Sequence, residues 1–286
     1  MQGRVAVVTD STAYLPADLI ASRGIVVVPV QVVVNGVAHD EGTGITPTEV
    51  AEALRSCSVV TTSRPAPERF VQAYTAAAEA GAVAVVSAHL SGDMSGTYDS
   101  AVLAARNSPI PVTVVDTRSV GMGMGFAVLD GVRHAESGAD AAAVAQVIVD
   151  RAAATSELFY VDTLEYLRRG GRIGAAQAAL GQMLSVKPIL ELIDGQVHPL
   201  EKVRTSSRAL ARLEELAIER AAGRPCDIAV HHLDSAARAE ALAGSLVARL
   251  VDSRVIVGEV GAVVGAHVGP GMVAVVVSPR PAAASA

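Results

Sequence analysis

Two short segments with hydroxyl side chains are the parts of this sequence best suited to chemistry. Residues 59–65 read Val-Val-Thr-Thr-Ser-Arg-Pro, and residues 90–98 read Leu-Ser-Gly-Asp-Met-Ser-Gly-Thr-Tyr. Each segment follows an apolar run typical of a β-strand and precedes a stretch that reads as a helix. In an open parallel sheet, loops of this kind meet in the crevice outside the carboxyl ends of the strands. Hydroxyl groups and free helix amides that meet there would bind a small anion.

The candidate ligand-binding residues in these segments are Thr62, Ser63, Ser95, Gly96 and Thr97. Hydroxyl side chains at such positions also cap helices or form local turns, and Thr97 would be a good N-cap. Glycine lets a ligand approach the backbone closely, which favours a binding role for the second segment. Both interpretations stay open for the individual hydroxyl groups.

Ser95 could instead be a nucleophile, with His89 or His267 as its base. The nucleophile elbow has the spacing Gly-x-Ser-x-Gly, whereas residues 92–96 read Gly-Asp-Met-Ser-Gly. The sequence places neither histidine within hydrogen-bond reach of this serine. A Ser-dependent lipid esterase or thioesterase is therefore the alternative function. An enzyme acting on a small phosphorylated metabolite is a third reading, and it predicts a short polar pocket.

Two further motifs do not predict a cofactor or a metal. Residues 121–125 read Gly-Met-Gly-Met-Gly, which lacks the dinucleotide-binding spacing and the acidic residue that should follow it, so we interpret them as a closely packed helix start. His231 and His232 are adjacent and would point to opposite faces of a strand, so they would not share one metal ion. We predict no cofactor and no metal site.

The composition limits the classes of partner. The chain has 286 residues, 51% of them hydrophobic but only 3% aromatic, and a net charge of −6. This charge argues against general binding to nucleic acid, which needs a basic surface. The apolar run over residues 25–34 is too short to span a bilayer. Cys57 and Cys226 have no ligand-like spacing, so we expect a reduced, cytoplasmic protein without stable membrane insertion.

The strands and helices that must position these residues are arranged differently in the two halves of the chain. Strands and helices alternate up to about residue 150, which predicts a parallel sheet with right-handed crossovers. Beyond residue 155 the rhythm changes, and Asp194-Gly195 predicts a hairpin between residues 185–193 and 196–203. The predicted fold class is α/β, with an N-terminal parallel-sheet α/β domain, a C-terminal α+β domain and the ligand between them. The predicted bounds are 1–153 and 154–280, with a disordered tail over 281–286.

Two loops of the second domain carry further candidates. Residues 170–174 read Gly-Gly-Arg-Ile-Gly and are predicted to join two helical pieces. Arg172 in this loop would form either a solvated basic helix end or a cationic mouth for an acidic partner. Residues 262–264 are predicted as a strand and 265–271 as a tight turn that exposes His267 to a ligand.

In these residues the chain resembles the DegV family of bacterial fatty-acid-binding proteins. The resemblance covers nearly the whole length. In order, the motifs that carry it are Val7-Val8-Thr9-Asp10-Ser11-Thr12 with Leu15-Pro16, Thr62-Ser63-Arg64-Pro65, Ser95-Gly96-Thr97-Tyr98 with Ser100-Ala101, Asp116-Thr117, Tyr166-Leu167 with Gly170-Gly171-Arg172-Ile173, Lys187-Pro188-Ile189, Val203-Arg204-Thr205, and Gly265-Ala266-His267 with Gly269-Pro270-Gly271.

The resemblance implies a two-domain carrier that holds one long-chain fatty acid, with its tail buried and its carboxyl at the domain junction. It implies that Thr62 and Ser95 bind the carboxyl, with His267 nearby. It also places Arg172 and Arg204 near the opening, for contact with a partner or a phosphoryl group. In that family the acid is presented to a separate, dihydroxyacetone-kinase-like fatty acid kinase that makes the acyl phosphate. The chain itself would then be a lipid carrier for phospholipid synthesis and not an enzyme.

Overall fold

The first half of the chain forms a four-stranded parallel sheet with helices on both faces. The computed structural model describes residues 3–174 and 187–281. Val-rich strands of this kind are buried on both faces, as expected for a parallel sheet. In spatial order the strands are β2 (Val26–Val28), β1 (Arg4–Asp10), β6 (Ala82–His89) and β7 (Val112–Asp116). The helices of this half are α1 (Ala17–Arg23), α3 (Pro67–Glu79) and α4 (Thr97–Ala105), which precede α5 (Met122–Glu136) and α6 (Ala141–Ala154).

A small antiparallel sheet carries the first hydroxyl segment. Its strands in spatial order are β4 (Val37–Asp40), β3 (Gln31–Val34) and β5 (Val60–Ser63). The expectation that residues 61–63 form a loop after a parallel strand is therefore wrong. These β-branched and hydroxyl side chains pair with β3 and continue the strand, where β-branched residues fit well. Helix α2 (Pro47–Arg55) follows β4 and begins at a capping box formed by Thr46 and Glu49.

The second half of the chain forms a six-stranded mixed sheet. In spatial order its strands are β10 (Gln196–Val203), β9 (Lys187–Ile193), β8 (Ser156–Tyr160), β13 (Val273–Pro279), β11 (Cys226–His232) and β12 (Arg254–Glu259). The predicted hairpin is confirmed: β9 and β10 pair antiparallel, and Asp194 and Gly195 both have positive φ. The helices of this half are α7 (Glu165–Arg169), α8 (Ser206–Ala221), α9 (Ala236–Arg249) and α10 (Ala262–Val268).

Helix α10 corrects the predicted strand over 262–264 and the predicted turn over 265–271. Val263 and Ala266 pack against β3 and α2, whereas Val264 and Val268 pack in a neighbouring apolar cluster. This spacing of three to four residues is helical. A short apolar run with glycines does not reveal its period clearly, so periodicity alone could not separate helix from strand. The chain turns only after the helix, at Gly269, where φ is 75°.

The two larger sheets are joined through α5 and α6, which share one apolar cluster with residues of both. Helices α8 and α9 cover the opposite face of the six-stranded sheet. The interpretation of two domains divided near residue 154 stays a prediction. The predicted helical piece after Gly174 and, except for Pro281, the predicted disordered tail lie outside the described residues. Within the described ranges, no helix is long and apolar enough to cross a membrane.

Candidate ligand-binding site

A cavity of about 390 Å³ lies over one face of the six-stranded sheet. Strand register puts the side chains of its floor on that face, since Glu157 pairs with Val276, and Phe159 pairs with Ala274. The loops that follow β1, β6 and β7 close the cavity from the other side. Its volume is typical of small-molecule sites. The apolar lining comprises Val30, Leu90, Met94, Val120, Leu158, Phe159, Leu167, Leu192, Val197, Val260, Val263, Val264, Val268, Met272, Ala274 and Val276.

Several of the predicted site residues line this same cavity and form its polar end. These are Thr62, Ser63, Ser95, Gly96, Arg172 and His267. They come from distant parts of the chain, on β5, before α4, after α7 and on α10. Arg64 also lines this end, although it was not among the predicted site residues. The polar end therefore combines hydroxyl groups, an imidazole and two guanidinium groups.

The contact between Thr62 and His267 joins β5 to α10. Thr62 Oγ1 and His267 Nε2 are 2.9 Å apart, and Nδ1 is buried without a hydrogen-bond partner in the described part of the chain. Burial, together with the charge of Arg172, lowers the pKa of His267 to about 4. The imidazole is therefore neutral near pH 7. With the proton on Nε2, His267 donates to Thr62 Oγ1 and leaves the Thr62 hydroxyl hydrogen free for a ligand oxygen.

Ser95 lies in the tight turn before α4. Its Oγ accepts the backbone N–H of Thr97 at 3.3 Å and lies 2.9 Å from Thr97 Oγ1. The expectation that Thr97 is the N-cap is wrong by one residue, since Gly96 is the N-cap and the helix begins at Thr97. Thr97 is fully buried and is not one of the residues that line the cavity. Arg172 Nε donates to the carbonyl of Met94 at 2.9 Å and fixes its guanidinium beside this turn.

Arg204 lies elsewhere. It lines a separate polar depression together with Glu201, Arg208 and Arg212, and it is not one of the residues around the cavity. The described structure therefore does not bring Arg172 and Arg204 together at the cavity.

Three polar residues of the lining were missed by sequence reasoning. These are Tyr14, Glu157 and His231, which also line the cavity. Burial raises the pKa of Glu157 to about 7 and lowers that of His231 to about 4. A glutamate directly before the apolar run at 158–161 was the available signal for Glu157. Whether this glutamate faces the cavity depends on the register of β8 with β13, which the sequence does not reveal.

The geometry does not join Ser95 to a base. His267 contacts Thr62, and His89 lies in a buried chain in which Ser87 Oγ is 2.7 Å from His89 Nε2 and Asp10 Oδ2 is 3.0 Å from His89 Nδ1. The Ser87, His89 and Asp10 side chains are completely buried and do not line the cavity. Substrate in the cavity would not reach this Ser-His-Asp group. No feature of the described site favours the esterase alternative.

The fold and the cavity define an α/β protein with a deep, mainly aliphatic binding site that is polar at one end. A family model described as "uncharacterised protein, DegV family" matches residues 4–280, so the chain belongs to the DegV family. A DegV domain-containing protein of Streptomyces coelicolor is 54% identical over 283 residues, covering 98% of this chain and all of the relative.

Solved structures agree with this assignment. The structure described as fatty acid binding of a DegV family protein from Thermus thermophilus has a TM-score of 0.92 and 36% identity, over 97% of this chain and all of that one. DegV, a fatty acid binding protein from Bacillus subtilis, has a TM-score of 0.90 and 31% identity, again over 97% of this chain and all of that one.

Proposed function

We propose that this chain binds a long-chain fatty acid, with its hydrocarbon tail along the sheet and its carboxyl at Thr62, Ser95 and His267. The observation that carries the proposal is the polarity of one continuous cavity, mainly apolar along its floor and with hydroxyl, imidazole and guanidinium groups together at one end. Met272 and Val276 both line it, and four residues of a strand extend about 13 Å. The fatty acid binding described for the Thermus thermophilus and Bacillus subtilis proteins supports the same ligand class.

The energetics divide between the tail and the head group. Burial of a sixteen-carbon tail contributes up to about 12 kcal/mol, at roughly 0.8 kcal/mol for each methylene. Association and ordering offset much of that gain. The tail therefore dominates affinity, while the hydroxyl groups select the carboxyl and fix its position.

We infer further that the chain is a cytoplasmic carrier that presents its acid to a separate, dihydroxyacetone-kinase-like fatty acid kinase. This part of the proposal depends on the resemblance of residues 170–173 and 203–205 to family motifs. Arg172 at the cavity and Arg204 in the separate depression would contact the partner or the phosphoryl group. Formation of acyl phosphate by such a kinase, with and without this protein, is the assay that tests it.

Native mass spectrometry of the purified protein, followed by denaturing extraction, tests the binding proposal. We expect a long-chain fatty acid in the wild type. Thr62→Val and Ser95→Ala should each weaken binding by roughly 5-fold, because each removes one hydrogen bond to the carboxyl.

Thr61→Val is the matched control, since Thr61 is the neighbouring residue on β5, is exposed and does not line the cavity. Its affinity should equal that of the wild type. Absence of any bound acid, together with no binding of added acid, would refute the proposal.

A further inference from the structure

Glu157 places a carboxyl group at the end of the cavity away from Thr62 and His267. It lies near the start of β8, whereas the chain reaches the loop of Arg172 only after the end of that strand. Met272 shares an apolar cluster with Val268, the neighbour of His267, whereas Val276, the cross-strand partner of Glu157, lies four residues further along the chain, about 13 Å away. The tail of a fatty acid whose carboxyl lies at Thr62 would therefore extend toward Glu157.

The hydrogen-bonding capacity of this carboxyl is only partly used. It accepts the Ser119 hydroxyl and the backbone N–H of Val120. A carboxylate can accept about four hydrogen bonds. Glu157 is half-buried, and it lines both the cavity and a neighbouring polar depression that includes Asp116 and Glu191. Burial raises its pKa to about 7, so near neutral pH it can also donate as the protonated acid.

The start of α5 is shaped around this carboxyl. A Cβ atom at Gly123 would lie 2.1 Å from a Glu157 carboxyl oxygen and 2.5 Å from Ser119 Oγ. Any side chain at position 123 would therefore displace one of them. The backbone N–H of Met122 donates to Nε2 of His231 at 3.3 Å, which brings a neutral imidazole to the same wall. The glycine-rich motif thus accommodates a polar group inside an otherwise aliphatic cavity.

On the basis of the proposed function, we propose that Glu157 and its neighbours form a second polar subsite, which binds an oxygen atom carried on the acyl chain. The ligand class is then an oxygenated long-chain fatty acid, and a hydroxy fatty acid in particular. A hydroxyl group can donate to the ionised carboxylate or accept from the protonated acid, so it fits both states of Glu157. An unsubstituted chain offers neither contact and leaves the unused hydrogen-bonding capacity of Glu157 facing hydrocarbon, which is unfavourable.

The test compares the affinities of stearate and of hydroxystearates, with the hydroxyl at mid-chain or at the chain end, for the wild type and for three variants. We expect at least one hydroxystearate to bind the wild type about 10-fold tighter than stearate, because a site built for a hydroxyl discriminates against analogues without one. Glu157→Leu should abolish this preference or reverse it, while stearate still binds and shows that the variant is folded. Glu157→Gln should keep part of the preference.

Glu191→Leu is the control. Glu191 lies on the neighbouring strand β9, pairs with Leu158 and is bonded to Arg220. Its substitution therefore removes a carboxylate that does not line the cavity. It should keep the wild-type preference. Equal affinity of the wild type for stearate and all hydroxystearates, or an unchanged preference in Glu157→Leu, overturns the subsite. Failure of every acid to bind the wild type is a different result, since it overturns the proposed function itself.

Discussion

A threonine hydroxyl and a neutral imidazole form the closest side-chain contact at the polar end of the cavity. Burial keeps His267 uncharged near pH 7, so its contribution to a bound carboxylate is a hydrogen-bond network and not an ion pair. The positive charge comes instead from Arg64 and Arg172, which line the same end. A carboxylate held in this way is oriented by hydroxyl groups and neutralised by guanidinium groups.

Glu41 is a buried acid that stabilises the helix bearing His267. Its Oε1 accepts the backbone N–H of Val263 at 2.8 Å, and its Oε2 accepts the Ser11 hydroxyl at 2.5 Å. Desolvation raises its pKa from the usual 4.5 to about 7. The folded state therefore binds this proton more tightly than the unfolded state, so its contribution to stability is full below about pH 4.5 and is lost as the pH rises through 7.

Glu41→Gln should remove this dependence, because the amide does not titrate and keeps a carbonyl acceptor for Val263. The unfolding free energy of the variant minus that of the wild type should rise by up to about 3 kcal/mol between pH 4.5 and pH 8. Urea denaturation across this range measures the difference. Glu49→Gln is the control, since hydrogen bonds from Thr46 lower the pKa of Glu49. The stability contribution of Glu49 therefore changes with pH in the opposite direction. A flat difference for Glu41→Gln would contradict the assignment.

At the scale of residues, the sequence predicted which side chains line the site better than it predicted their contacts. The resemblance named Thr62, Ser95 and His267, and all three line one cavity. It did not reveal Glu157 or the cap formed by Glu41. Both features depend on tertiary structure, because each carboxyl group contacts residues that are distant in the chain. No local sequence pattern predicts such contacts.

At the scale of elements, periodicity predicted the long helices and the parallel strands but failed at short pieces. Helix α10 has seven residues and carries His267, yet the sequence predicts a strand and a turn there. Strand β5 was interpreted as a loop because its hydroxyl residues suit turns as well as strands. Tertiary packing against β3 and α2 decides both cases.

The contact of α7 with α10 gives a prediction for an element boundary. Gly170 ends α7, and a Cβ atom there would lie 2.1 Å from His267 Nδ1. Gly170→Ala should therefore displace the imidazole from Thr62 and weaken fatty acid binding by roughly 5- to 10-fold, through one lost hydrogen bond. Isothermal titration calorimetry measures the effect.

Gly171→Asn is its matched control. Gly171 has a φ of +70° with open space around it, and asparagine tolerates that conformation. We expect nearly wild-type affinity. Equal affinities for the two variants would show that the approach of Gly170 does not position His267.

At the scale of the whole molecule, the two large sheets are held together by more than apolar contacts. Arg151 on α6 bonds to Asp227 at 2.7 Å and lies 3.4 Å from Asp130 on α5, and its side chain is 2% exposed. Loss of the guanidinium would leave two carboxylates without their main buried partner. The ion pairs therefore fix how α5 and α6 sit against the six-stranded sheet.

Arg151→Met should lower the free energy of unfolding by about 3–5 kcal/mol, as expected when one member of a buried ion pair is removed. Arg220→Met breaks the more exposed pair with Glu191 and should cost about 1 kcal/mol or less. Urea denaturation of both variants checks the contrast. Similar losses in the two proteins would mean that Arg151 adds no more than a surface ion pair.

The α/β class and the hairpin followed from local patterns, since alternating apolar runs and Asp194-Gly195 act through nearby residues. The spatial order of the strands did not follow. In particular, β13 is last in the chain and lies between β8 and β11. Such a placement depends on long-range pairing, which a single sequence does not specify.

The buried group of Ser87, His89 and Asp10 has a consequence for how hydrolases are recognised from coordinates. Tyr74 donates to Ser87 Oγ at 2.9 Å, so even the oxygen that would attack is already engaged. A search by interatomic spacing alone would mark this protein as a protease-like catalyst. Solvent access distinguishes a catalytic triad from a structural group of the same residues. Here the three side chains hold the ends of β1 and β6 in register.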